Sequence, residues 1–204
     1  MDGLARDKQL TSLGMAALGL LAERSMHPYE MYQLLICRRQ DRLVKVKPGT
    51  LYHTVGRLAE ANLIHAVGTE REGKRPERTS YAILPAGREA LEHRLKELLA
   101  RRASEYPSFP QAVAEAHNLP SGVVVELLHS RLVELGTYLN ELDGDAKKMQ
   151  DKSVPMKFWI ESSYQQALTR AEIRWIEQLR ADITTGALPW QPHKSNDLMK
   201  HSEL

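Results

Sequence analysis

The chain has 204 residues, 42% of them hydrophobic, which is enough to bury one large core or two small ones. Its single cysteine, Cys37, excludes an intramolecular disulfide and a metal site built on paired thiolates, so we expect a cytoplasmic protein. The most apolar early run, residues 15–22, is too short to span a bilayer, and we expect neither export nor membrane insertion.

The net charge of +2 hides an asymmetry between the two halves of the chain. Residues 1–102 hold 18 Lys and Arg against 12 Asp and Glu, whereas residues 103–204 hold 10 against 14. A basic first half favours a polyanionic partner such as nucleic acid, although a charge of this size also serves plain solubility. Charge alone leaves both interpretations open.

Three helices are predicted near the start of the chain. Apolar residues recur with helical period over residues 11–24, which indicates the first helix. Pro28 begins a second helix, which fades at residues 38–42, because proline suits the first helical position. Pro48 begins a third in the same way, and its apolar residues form one narrow stripe of Leu51, Val55 and Leu58.

A hairpin and a fourth helix follow. Residues 63–67 and 79–84 are rich in β-branched and aromatic residues and are separated by a polar tract, so they predict two antiparallel strands. Pro85 begins a fourth helix, whose expected inward face is Leu91, Leu95, Leu98 and Leu99. The order of three helices, two strands and a helix is that of a winged helix-turn-helix, which we assign to residues 1–104.

The second half is predicted to be helical. A proline-containing junction at residues 105–120 precedes a heptad pattern that Asp143-Gly144-Asp145 should break, and a last helix covers residues 155–185. A two-helix hairpin leaves apolar surface uncovered, so we expect a homodimerisation domain at 121–187, followed by a flexible tail at 188–204. The predicted dimerisation seam is Val125, Leu128, Leu132, Leu135, Leu139 and Leu142. The predicted fold class is therefore mainly α with a small β-hairpin, an N-terminal winged helix-turn-helix plus a C-terminal helical dimerisation domain.

The third helix is the predicted recognition helix, because the second helix of a helix-turn-helix enters the major groove of DNA. Its candidate DNA-contacting residues are Lys47, Thr50, Tyr52, His53 and Arg57. Further cations should contact the DNA backbone before this helix and at the hairpin tip, namely Lys45, Lys74, Arg75 and Arg78. The alternative for both groups is a solvated polar surface, and for Tyr52 a place at the rim of the core.

Three stretches resemble the PadR transcriptional regulators: LGLLAERSMHPYEMYQLL from Leu18, KPGTLYHTVGRLAEANLI from Lys47, and EGKRPERTSYAILPAGREAL from Glu72. The longer C-terminal half resembles the larger PadR subgroup, which has a helical dimerisation domain. The resemblance implies a homodimer that binds an inverted-repeat operator in double-stranded DNA, usually as a repressor released by a small molecule. The residues that match the family signature are Pro28, Tyr29, Glu30, Gly49, Leu51, Tyr52, Leu58, Gly73, Arg75, Pro76, Tyr81 and Gly87. His53 departs from the family, whose members commonly have proline there.

Other functions leave weaker signals in the sequence. Trp159, Tyr164 and Trp175 either line a pocket for a small aromatic effector or form interface core. We expect no metal site and no cofactor, because the eight histidines are scattered, and we expect Cys37 to be buried packing. The sequence lacks a glycine-rich phosphate loop, an HExxH pair and a nucleophile elbow, so no enzyme is expected. The alternative to a DNA-binding regulator is a protein-interaction module that uses a winged helix without sequence-specific DNA binding.

Overall fold

The computed structural model describes residues 10–70, 78–102 and 105–190. The chain divides into an N-terminal unit, Met1–Glu105, and a C-terminal unit, Tyr106–Leu204. The N-terminal unit contains helices α1 (Ser12–Glu23), α2 (Pro28–Cys37) and α3 (Pro48–Glu60), strands β1 (Ile64–Glu70) and β2 (Arg78–Ile83), and helix α4 (Pro85–Ala100). The C-terminal unit contains α5 (Ser108–Ala114), α6 (Ser121–Asp151) and α7 (Ile160–Thr185).

The core of the N-terminal unit forms where α1, α2 and α3 bury their apolar faces against one another. Leu18 of α1, Met31 and Leu35 of α2, and Leu51 of α3 are all 0% exposed. Complete burial of an apolar side chain of this size contributes about 1.5–3 kcal/mol relative to exposure. The contacts therefore fix how each of the three helices is rotated about its own axis, which matters most for α3.

Cys37 lies at the end of α2 and is exposed, so the expectation that it is buried packing is wrong. Met31 and Leu35 define the buried face of this helix. At about 100° per residue, Cys37 points to the opposite side. The leucines that precede it in the sequence are neighbours along the chain, not packing partners on the same face.

The two strands pair antiparallel, with Ile64 opposite Ile83 and a bulge within β1. Met26, between α1 and α2, adds a short bridge to this hairpin. Its N–H donates to the Tyr81 carbonyl and its carbonyl accepts from the Tyr81 N–H, both at 3.1 Å. The bridge fastens the turn between the first two helices to the wing.

The element order and the hairpin confirm the predicted winged-helix fold, but α4 differs in its packing. Gly87 is buried beside the Leu63 carbonyl, and Leu91 packs on the core. The expectation that the next leucines also point inward is wrong, because α4 extends beyond the core that it covers. Exposed fractions are 42% for Leu95, 36% for Leu98 and 87% for Leu99.

The C-terminal unit is a hairpin of two long helices, α6 and α7. Its core contains Val124 and Leu128 of α6 and Ile176 and Ile183 of α7, with Phe109 of α5 packed against them. Two ion pairs join the helices: Arg131 with Glu172 at 2.6 Å and Asp143 with Arg170 at 2.9 Å.

The predicted break at Asp143-Gly144-Asp145 is wrong, because α6 runs without interruption to Asp151. Asp143 accepts hydrogen bonds from Gln166 and Arg170 of α7, and Asp145 pairs with Lys148 one turn later. Glycine inside a helix costs only about 1 kcal/mol relative to alanine, which these contacts offset. The last helix begins at Ile160 rather than at Pro155, after a short 3₁₀ turn over Met156–Phe158.

The start of the predicted flexible tail packs on the C-terminal unit. Trp190 lies against its core, and its indole N–H donates to the Leu119 carbonyl at 2.9 Å. The rest of that segment, residues 191–204, lies outside the described residues. Within the described ranges, no helix has the length and apolar character that crossing a membrane requires.

Candidate nucleic-acid interface

The orientation of α3 follows from its sequence. Pro48 occupies the first turn, and Lys47 at the N-cap has an extended backbone, which is the conformation favoured before proline. The predicted stripe of Leu51, Val55 and Leu58 is 0%, 1% and 5% exposed. Because this face is held in the core, the polar residues of α3 must face outward.

The structure brings most of the predicted recognition residues onto one outward surface. Lys47, Thr50, His53 and Arg57 are all exposed. Thr50, His53 and Arg57 lie within about 60° of one another around the helix, since each residue advances by about 100°. We call Lys47, Thr50, His53 and Arg57 the α3 face; it has two long cationic side chains and no carboxylate.

Tyr52 lies on the flank of α3, toward the start of α2. Its ring meets the His27 ring edge-on, with centroids 5.9 Å apart, and 45% of the residue is exposed. Tyr52 therefore lies at the rim of the core, and its exposed part can still reach a ligand such as DNA.

His27 is a residue that the sequence analysis did not single out. Its Nδ1 accepts the Tyr29 N–H at 3.0 Å and so caps α2, directly before Pro28. The favoured capping residues are Ser, Thr, Asp and Asn, which is why a histidine at this position gives little signal. By holding Tyr52 from the side, His27 links the start of α2 to the flank of the recognition helix.

The cations before α3 divide into two groups. Arg38 is committed to Glu23, with Nη2 and Oε2 2.9 Å apart, and this hydrogen bond holds the pKa of the Glu23 carboxyl below its ordinary value of 4.5. Lys45 and Lys47 are exposed and form no ion pair within the described part of the chain. They remain able to approach a phosphate.

The wing is described only in part. Lys74 and Arg75 fall within residues 71–77, outside the described residues, and so do Gly73 and Pro76 of the family signature. Arg78 begins β2 opposite Glu70, but its side chain is not among those described. The predicted contacts of the wing with DNA stay predictions.

The three aromatic residues predicted to line an effector pocket are spread along the C-terminal unit. The Trp159 indole N–H donates to the Val154 carbonyl at 3.0 Å, whereas Trp175 meets the Phe109 ring edge-on at 6.3 Å. Tyr164 is 63% exposed and lies eleven residues before Trp175, about 16 Å along the helix axis. That separation exceeds the length of a small planar ligand, so one helix face does not by itself bring the three residues together. Their role in an effector pocket stays a prediction.

The predicted dimerisation seam also has neighbours in its own chain. Leu128 is buried in the α6–α7 core, and Val125, Leu132 and Leu135 pack against it. Leu142 is 2% exposed, while Leu139 is partly buried. Among the described residues, no three His, Cys, Asp or Glu side chains converge as metal ligands.

Comparisons with known proteins agree with this architecture. The sequence model of the Transcriptional regulator PadR-like family matches residues 17–93. Bacillus subtilis PadR in complex with operator DNA has 18% identity and a TM-score of 0.73, over 85% of this chain and 99% of that one. The same protein in complex with p-coumaric acid gives 16% identity and a TM-score of 0.71, over 84% and 98%.

A third solved structure, the Vibrio cholerae virulence activator AphA, has 15% identity and a TM-score of 0.67, over 86% of this chain and 99% of that one. Comparison with curated protein sequences gives no match. At such identities the structural similarity shows a shared fold, while the family model adds sequence evidence for the N-terminal unit. The resemblance to the PadR regulators is therefore confirmed, with residues 17–93 matching the PadR-like family model and the structural comparisons showing the same winged-helix fold.

Proposed function

We propose that the protein is a transcriptional regulator that binds double-stranded DNA sequence-specifically through α3. The observation that carries the proposal is the α3 face, which presents Lys47, Thr50, His53 and Arg57 to solvent on a helix whose other side is locked in the core. A helix of this diameter fits the major groove, where its early residues reach base edges. The match to a family of transcriptional regulators supports the same function.

Each residue has a distinct proposed role. Arg57 pairs with guanine, because the guanidinium fork matches O6 and N7 in the major groove. Thr50 contacts a phosphate or a thymine methyl, and Tyr52 reaches a phosphate from the flank. Lys45 and Lys47 contact phosphates, as do Lys74, Arg75 and Arg78 in the predicted wing.

We further propose that the protein is a homodimer and that its operator is an inverted repeat. α7 carries an apolar stripe, which we call the α7 stripe, on a different side from its buried residues. At about 100° per residue, its members lie within about 80° of arc. They are Ile160, Tyr164, Leu168 and Trp175, exposed by 60%, 63%, 48% and 47%.

A contiguous apolar surface of this kind is typical of an interface. Because the heptad seam packs within the chain, the α7 stripe supports dimerisation better than the seam does. A second copy would cover it and place two winged helices on one duplex.

We also propose that the protein represses transcription and that a small aromatic effector releases it from its operator. Bacillus subtilis PadR has been solved with operator DNA and with p-coumaric acid, which supports the combination of operator and effector. The virulence activator AphA has the same fold, so the fold alone does not decide between repression and activation, and the sign of regulation is measured separately.

The test is selection of bound duplexes from a random library at near-physiological salt, followed by titration of the enriched sequence. We expect an inverted repeat whose half-sites are about one helical turn apart. Arg57→Ala should weaken binding about ten-fold or more and relax the preference at one base pair of each half-site.

Lys96→Ala is the matched control, since Lys96 lies on α4, is exposed, and pairs with Glu92 of the same helix. It removes the same charge and should leave the affinity unchanged. Absence of enrichment together with no retention of random duplex at low salt would refute DNA binding and favour the protein-interaction module. Equal affinity of the Arg57 and Lys96 variants would refute the role of Arg57.

A further inference from the structure

A cavity of about 840 Å³ lies in the N-terminal unit, between the start of α1, the segment before α3, and the side of α3 next to the α3 face. Its volume falls within the range of sites for small organic ligands, about 300–1,000 Å³. The wall is largely apolar, formed by residues that include Leu10, Leu13, Leu58, Leu63 and Ala61. It is open on one side, so a ligand can enter without a change of fold.

The polar part of the wall has one sign of charge. Lys45 and Arg57 line the cavity, and none of the described Asp or Glu residues does. Both cations are exposed, and neither forms an ion pair within the described residues. The hydroxyl of Thr54, also on the wall, already donates to the Thr50 carbonyl at 2.8 Å and keeps its lone pairs for a donor on the ligand.

This combination selects a chemical class. An apolar wall binds the body of a ligand in proportion to the surface that it removes from water. Two cations at the rim, neither of them in an ion pair with another described residue, favour an anion and disfavour a cation of the same shape. A neutral ligand would gain only the apolar contribution, and a fully polar anion such as phosphate would gain only the charge.

We propose that this cavity binds a small amphipathic organic anion, with one or two rings and a carboxylate or sulfonate, and that the bound anion competes with DNA. The competition rests on the proposed function, because Thr50 and Arg57 belong to both the cavity wall and the α3 face. An Arg57 side chain turned toward a bound anion is withdrawn from a base. By linkage, DNA must weaken binding of the anion by the same factor as the anion weakens binding of DNA.

The test uses 8-anilinonaphthalene-1-sulfonate, whose fluorescence rises on binding, and N-phenyl-1-naphthylamine, which has the same rings without the sulfonate. Full-length protein should bind the sulfonate at least about five-fold more tightly, the effect of about 1 kcal/mol from partly screened charges. Lys45→Ala should lower the affinity for the sulfonate and leave that for the amine unchanged. Equal affinities for the two probes would overturn the proposed anion selectivity.

Exposed apolar surface elsewhere can also bind such dyes, so the site needs a variant that fills the cavity. Ala61→Phe places a ring inside the wall from the exposed end of α3, and should lower the sulfonate affinity about ten-fold or more. Ala100→Phe, at the exposed far end of α4 and about 15 Å along the helix axis from Ala90, is the matched control and should bind like the wild type. Ala90→Leu fills the cavity from α4 and replaces Ala61→Phe if circular dichroism shows that the latter is unfolded.

A final measurement separates this inference from the proposed function. If the sulfonate binds and the filling variants abolish it, the site stands whether or not any duplex binds. If a duplex binds and Ala61→Phe leaves the sulfonate affinity unchanged, the site is refuted and the regulator stands. If both the site and duplex binding hold, the sulfonate should displace the duplex from wild-type protein and from Ala100→Phe, but not from Ala61→Phe. Displacement from all three would refute competition through this cavity.

Discussion

Gly87→Ala should weaken the packing of α4 against the hairpin. A Cβ on Gly87 would lie 2.2 Å from the Leu63 carbonyl oxygen and 2.9 Å from Cγ1 of Ile83, and contacts under 3.0 Å essentially never occur. The helix and the backbone of Leu63 must therefore separate by about 1 Å. The same carbonyl accepts the Leu84 N–H at 3.0 Å, and that bond connects the end of the hairpin to the start of α4.

The magnitude follows from these contacts. Relieving an overpacked backbone contact costs about 1–3 kcal/mol. Stretching the bond from Leu84 by about 1 Å loses about 1 kcal/mol more. The higher helix propensity of alanine offsets about 0.5–1 kcal/mol of this loss of stability. The net loss of stability is about 2 kcal/mol for the N-terminal unit.

The assay must report on this unit alone. All three tryptophans, Trp159, Trp175 and Trp190, lie in the C-terminal unit, so tryptophan fluorescence would follow the wrong part of the chain. Amide hydrogen exchange resolved by peptide can follow β1 and α4, where we expect opening to become about 30-fold more frequent.

Gly19→Ala is the matched control, because a Cβ on Gly19, in the middle of α1, meets nothing within 4 Å. It should stabilise the unit by about 0.5–1 kcal/mol. If Gly87→Ala exchanged as slowly as the wild type, the close approach of α4 to Leu63 would be refuted.

Three further predictions test the packing and the ion pairs. Leu135→Asp should unfold the C-terminal unit, whereas Leu168→Asp should give a folded monomer, as read by circular dichroism and sedimentation; a folded monomer from both would contradict the placement of the seam against α7. Leu51→Ala should cost about 2–5 kcal/mol by leaving a cavity in a fully buried site, measured by hydrogen exchange in α3. The Glu23 carboxyl should titrate below 4.5 by carbon NMR and move upward in Arg38→Met. Because the pKa of Glu23 is lowered in the folded state, the ion pair stabilises the fold above pH 4.5, and this stabilisation is lost as the pH falls through the pKa of the folded state. Since both side chains are about half exposed, the pair should contribute less than about 1 kcal/mol.

The N-terminal unit could be predicted from the sequence because its signals are local. Pro28, Pro48 and Pro85 each lie in the first turn of a helix, and the stripe on α3 has the spacing of one buried face. Such signals act within four or five residues, which is the range that a sequence pattern reports. The exposure of the α3 face follows from the burial of its stripe.

Features that depend on where the core ends were not predictable in this way. Leu95, Leu98 and Leu99 have the pattern of an inward face, but no described element of the unit extends far enough to cover them. The leucines next to Cys37 in the sequence suggest burial. Its exposure instead depends on how α2 is rotated about its own axis, which Met31 and Leu35 fix by packing in the core. Capping by His27 and the Met26 bridge depend on backbone geometry that leaves no composition signal.

In the C-terminal unit, the sequence pattern does not identify which helix packs against an apolar face. A heptad pattern establishes which face of a helix is apolar, and it is equally satisfied by a helix of the same chain or of another copy. In this structure Leu128 of the seam is buried in the α6–α7 core, and Val125, Leu132 and Leu135 pack against it. Other apolar residues of α7 lie on a second side, where Tyr164 and Trp175 are about half exposed or more. A helix that is apolar on two sides needs two neighbours, and α6 supplies one of them. The seam therefore predicts the helical hairpin, and the uncovered stripe on α7 is the feature that supports a second copy.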